Sequence, residues 1–147
     1  MRWWEDIRPG ERLELGPAEV REGEIVAFAS AYDPQPFHVD PQAAAESPFG
    51  GLIASGWHTV ALFMGMYVRG FLSETASLGS PGVEELRWLV PVRPGDVLRG
   101  RATVLDAWPS ERTPGRGTVV SRCEVLNQRD EVVLRMTARG LFARRPA

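Results

Sequence analysis

The sequence predicts an α+β domain in which a long apolar helix lies on an antiparallel sheet. Three observations predict it. Apolar residues at helical spacing (Ile25, Val26, Phe28, Ala29, Tyr32) fall in the first half of the chain. An almost uninterrupted apolar run follows from Ser55 to Phe71. After Ser73 the pattern changes to alternation, as in Val97, Arg99, Arg101 and Thr103 against Leu98, Gly100, Ala102 and Val104.

Residues 11–20 read as a strand with a turn at Gly16-Pro17. Glu22 to Tyr32 reads as a helix. Pro34 ends it, because the residue before a proline is pushed out of the α region. Asp40 suits an N-cap and Pro41 a first helical position, so "PQAAAE" reads as a short helix. A glycine hinge, "PFGG", leads into the apolar helix from Ser55 to Phe71. The segments "ASLGS", "VEELRWLVPV", "DVLRGRATVLDAW", "GTVVSRCEVLN" and "EVVLRMTARGLFAR" read as strands, with Pro- and Gly-rich turns between most of them. A helix apolar on nearly every side needs more cover than a flat sheet supplies. Either the sheet wraps round it or a second copy of the chain helps.

At 147 residues the chain is expected to form one domain spanning 1–147, long enough for a real core. A net charge of −2 gives no bulk drive towards nucleic acid or an anionic membrane. All 17 basic residues are Arg, which excludes Schiff-base and lysine general-base chemistry. Cys123 is the only cysteine, so no internal disulfide can form, and it reads as a small buried hydrophobe. No secretion signal is expected from the N-terminal residues, and the run from Leu52 to Val68 is short for a membrane span and carries Ser55 and His58. A cytoplasmic location is expected. Two histidines and scattered carboxylates make no recognisable metal set, so no metal is expected.

Chemistry concentrates in residues 33–56. Asp33 and His38 stand at the two ends of "DPQPFH", where Pro34 and Pro36 restrict the backbone between them. A carboxylate and an imidazole held together can position a water and move its proton in both directions. The same residues also fit a helix terminator and a hydrogen-bonded loop histidine. In "FGGLIASGW", Gly56 falls at a helix start, where N–H groups lack internal partners and meet the positive dipole end. A ligand oxygen could approach its N–H closely, making an oxyanion site; a glycine needed only for its turn is the alternative. His58, one turn into the helix, reads as a core histidine.

The run "YDPQPFHVDPQAAAESPFGGLIASGWHT" resembles the hydratase 2 motif of the MaoC-like dehydratases, the hot-dog-fold (R)-specific enoyl-CoA hydratases, whose signature is D-x-N-P-[LIV]-H followed by FGG-x-IAHG. The later "RWLVPVRPGDVLRG" resembles their strand–turn–strand. The resemblance implies a sheet wrapped round the long helix and a homodimer, or a higher oligomer of dimers, with sites near the interface. It implies that Asp33 and His38 are the catalytic pair and that the Gly56 N–H polarises the thioester carbonyl. Gln35 and Ser55 are expected beside them in the substrate site. Gln35 stands where the family has Asn, Phe37 where it has a small aliphatic, and Ser55 where it has His. The implied reaction is reversible hydration of a trans-2-enoyl-CoA or acyl-carrier thioester, with no cofactor beyond the CoA of the substrate. A hot-dog thioesterase and an inactive acyl-CoA-binding subunit are the alternatives.

Overall fold

The computed structural model describes residues 1–147. Its elements run β1 (Arg12–Glu19), α1 (Glu22–Tyr32), α2 (Pro36–Val39), α3 (Pro41–Glu46), α4 (Gly56–Gly70), β2 (Gly82–Trp88), β3 (Val97–Pro109), β4 (Arg116–Leu126) and β5 (Val132–Ala143). The strands form one antiparallel sheet in the order β1-β3-β4-β5-β2. The sheet carries the central helix α4 on one face, which is the expected α+β hot-dog architecture. No helix is long and apolar enough to cross a membrane.

Alternation along the long strands decides which residues meet α4. Leu98, Ala102 and Val104 of β3 are buried, as are Cys123 and Val125 of β4 and Leu134 and Met136 of β5. All of these but Val104, which packs with Phe71 and Phe142, share one core with the buried Phe63 and Met66 of α4. Gly100 lets them come close: a Cβ there would lie 3.2 Å from the Phe63 ring. The other faces of the strands carry ion pairs such as Arg101–Glu124 and Arg139–Glu84. The Cys123 thiol is pushed up to about 12 by burial, so it is inert as a nucleophile at neutral pH.

Helices α1 and α3 fall on the residues read from the sequence. Asp40 caps α3, its carboxylate accepting from the Gln42 and Ala43 N–H groups at 3.0 and 3.3 Å. Helix α4 has Ser55 as N-cap and Phe71 as C-cap.

Four expectations change. The strand expected over 11–20 is β1, but Gly16-Pro17 within it is a bulge rather than a turn, the register on β3 shifting between Leu15 and Ala18. Residues 76–80 do not form a regular strand. Ser77 makes an isolated bridge to Phe142, and Gly79, at φ 94°, turns the chain away. The strand expected over 83–92 stops at Trp88; the Leu89 N–H still donates to the Val133 carbonyl of β5 at 2.9 Å, residues 90–92 leave the sheet, and 89–92 wall the cavity described below. Residues 36–39, expected as loop, form the single helical turn α2.

Candidate active site

Asp33 is the C-cap of α1, its N–H donating to the Ala29 carbonyl at 2.8 Å. Pro34 prevents another turn, and Pro36 at the start of α2 re-forms one immediately. That single turn places His38 inward, 4% exposed. Its Nδ1 lies 2.7 Å from the Ile53 carbonyl oxygen. A carbonyl only accepts, so Nδ1 carries the hydrogen and the neutral ring keeps its lone pair on Nε2. Nε2 stands 3.3 Å from Asp33 Oδ2. Two acceptors at that distance require a proton between them, from the ring itself or from a bridging donor such as water.

The carboxylate is held from both sides. Gln35 Nε2 donates to Oδ1 at 2.8 Å, and Ser55 Oγ donates to Oδ2 at 2.7 Å. These two bonds, Gln35 first, hold the Asp33 carboxyl below the usual carboxylate range; partial burial opposes them and the charge of His38 adds to them. Ser55 is fully buried, so its hydroxyl is turned to Asp33 rather than into the cavity. This explains why α4 has an N-cap serine that makes no side-chain cap bond.

Strand-like contacts fix the segment that carries these groups. The Ile53 N–H donates to Phe37 and the Ala54 N–H to Val92, at 3.2 and 2.8 Å. The Ser55 carbonyl accepts from His58 and Thr59 and starts α4. A cavity of about 360 Å³ opens here, bounded by Asp33, Gln35, His38 and Gly56 on its polar side. Trp57, Trp88 and Leu89 form much of its apolar wall. The Gly56 N–H, first of α4, has no intrahelical acceptor and lies at the positive end of the helix.

The structure therefore brings together all five residues singled out in the sequence: Asp33, Gln35, His38, Ser55 and Gly56. His58 does not line the cavity. It is 6% exposed, stacked on Phe28 with ring centroids 4.8 Å apart, and its Nδ1 has no hydrogen-bond partner. Two features escape the sequence reading. The Ile53 carbonyl that sets the His38 tautomer is a backbone group and leaves no residue signature. Trp88 reads as a strand residue in "VEELRWLVPV", and its place in the cavity wall depends on where β2 ends.

A five-stranded antiparallel sheet round one central helix defines the class as a hot-dog protein. Residues 6–124 match the MaoC like domain, and the chain belongs to that family. It is similar to the MaoC-like dehydratase from Rhodospirillum rubrum, with 44% identity, a TM-score of 0.92 and 100% of both chains covered. It is 30% identical to a 3-hydroxybutyryl-CoA dehydratase of Methylorubrum extorquens over 90% of this chain and 78% of that one. The R-hydratase PhaJ1 from Pseudomonas aeruginosa shares 26% identity and a TM-score of 0.77, with 98% of this chain and 86% of that one covered. The chain also spans 79% of the uncharacterised YdeM of Bacillus subtilis, at 31% identity, but only 30% of protein MaoC of Klebsiella aerogenes, at 32%.

Proposed function

We propose that the chain catalyses reversible hydration of a trans-2-enoyl thioester, on CoA or an acyl carrier, to the (R)-3-hydroxyacyl thioester. One observation carries the reading. His38 Nε2 and Asp33 Oδ2 stand 3.3 Å apart, in the cavity that Gly56 also lines. A water on the cavity side of the pair, within hydrogen-bond reach of both atoms, donates one hydrogen to each. Its oxygen forms the bond to C3 while the C2=C3 electron pair moves towards C1. The carbonyl oxygen gains charge, which the Gly56 N–H and the α4 dipole stabilise. The pair takes one proton from the water and returns one to C2, so the addition balances without metal or redox group.

Crotonyl-CoA tests this directly. Loss of enoyl absorbance without release of free thiol is the expected result. Thiol release would identify a thioesterase instead, and neither signal would leave a binding subunit.

The proposal includes a homodimer. Trp57, Met64 and Val68 fall on one stripe of α4 and are 57%, 47% and 38% exposed. Val83, Trp88 and Leu89, in or just after the edge strand β2, are exposed as well. Fully burying such a side chain stabilises by roughly 1.5–3 kcal/mol. A partner copy would cover the stripe and can wall the cavity. Sedimentation equilibrium should give a dimer, and a fully active monomer at micromolar concentration would refute it.

A further inference from the structure

We propose that the indole N–H of Trp88 is a second oxyanion donor, acting with the Gly56 N–H on the thioester carbonyl. The proposal deepens the hydration reading and rests on it for the identity of the carbonyl. Trp88 ends β2, where it pairs with Leu134 of β5, and is about half exposed. Its ring lies flush against the Gly56 backbone. A Cβ added at Gly56 would meet Trp88 Cδ1 at 2.8 Å, and Nε1 and Cε2 nearer still. Glycine at 56 is therefore what admits the indole. Trp57 packs edge-on against the same ring, with centroids 5.1 Å apart and planes at 78°, which restricts its rotation.

The donor is free to act. Trp4 directs its Nε1 to the Thr118 carbonyl at 3.2 Å, whereas Trp88 Nε1 has no acceptor within the protein and its ring lines the cavity. A Cβ sits about 2.5 Å from its own backbone nitrogen, so the Trp88 and Gly56 nitrogens lie within about 5 Å of each other. Two N–H donors can share one oxygen at about 2.9 Å from each when their nitrogens are less than about 5.8 Å apart. As water adds to C3, the carbonyl π pair moves onto oxygen. Two N–H groups then receive that charge until C2 takes its proton and the carbonyl re-forms.

Two replacements separate the N–H from the ring. Trp88→Phe removes the donor and keeps an aromatic. Site-specific 3-benzothienylalanine at 88 keeps the indole shape, and so the packing, without the N–H. In an Asp33→Asn background, where turnover should be at least about 100-fold slower, bound 2,4-hexadienoyl-CoA absorbs at longer wavelength when its carbonyl is polarised. Both replacements should reduce that shift by more than half while changing its affinity less than about threefold. With Asp33 restored, kcat for crotonyl-CoA should fall about 10- to 100-fold, at or below the usual effect of deleting one oxyanion donor. A full spectral shift with the benzothienyl side chain would overturn the proposal, whatever Trp88→Phe does. So would the absence of a shift with native Trp88. A native protein that shifts the dienoyl spectrum but hydrates nothing would instead refute the hydration reading and leave the donor pair standing.

Discussion

Replacing Ser55 with Ala removes one oxygen from a fully buried site and withdraws the 2.7 Å hydrogen bond to Asp33 Oδ2. A hydrogen bond to an ionised group contributes about 1.5–3 kcal/mol. The Asp33 side chain is 20% exposed, so water can restore part of that, and the low end applies. The folded carboxylate is less stabilised, and its protonation moves to higher pH. Asp33 begins below the usual carboxylate range, so stability and activity that need its charge are present at neutral pH and lost as pH falls through the folded value. In Ser55→Ala that loss should begin at higher pH. Oδ2 also faces His38 Nε2, so its freedom to rotate should lower kcat about tenfold, the equivalent of roughly 1.4 kcal/mol. The assay is kcat/KM for crotonyl-CoA from about pH 2.5 to 8, which spans the range below the ordinary carboxylate value, with a urea midpoint at each pH. An acid limb and kcat both unchanged in Ser55→Ala would refute the assignment of this hydroxyl to Asp33. An acid limb of the native protein above about pH 6 would show that a group other than Asp33 limits the rate.

Asp33→Asn and His38→Ala should each lower turnover by at least about 100-fold while leaving the urea midpoint largely intact; full activity in either sinks the mechanism, and losses that track stability would make the pair structural. Gln35→Asn should keep kcat within about threefold of native, because Gln35 is exposed and water can supply Asp33 Oδ1 with a donor if the shorter amide falls short; abolished turnover of short enoyl thioesters would mean that Gln35 touches substrate. Burial lowers the His58 pKa, with the charge of Glu24 opposing, so the unfolded state takes up the proton first and stability is lost as pH falls below about 6.5. His58→Leu removes the unpartnered Nδ1 and should raise stability by about 1 kcal/mol and flatten that acid-side loss, read from urea midpoints; a steeper loss would contradict the burial argument.

Periodicity and punctuation carried much of the fold. Helix α1 ends where Pro34 requires, α3 starts at its Asp40 cap, and β3, β4 and β5 follow the alternation within a residue or two. These signals are local, because backbone restriction, capping and the face a side chain takes depend on neighbours in sequence. The same locality made Asp33, His38 and Gly56 legible, since restricted backbone and a helix start lie within 24 positions.

What only the tertiary structure decided depends on groups far apart in the chain. The His38 tautomer is set by a backbone carbonyl 15 residues away, and the Ser55 hydroxyl serves a carboxylate 22 residues away. β1 passes through Gly16-Pro17 as a bulge because β3 lies alongside to hold both halves, and residues 76–80 stay irregular although their side chains alternate. Trp88 reaches Gly56 at the end of β2, beyond which residues 90–92 leave the sheet to wall the cavity. Sequence spacing fixes direction along one element. It says nothing of which element arrives opposite, and hydrogen-bond partners and cavity walls are made by what arrives opposite.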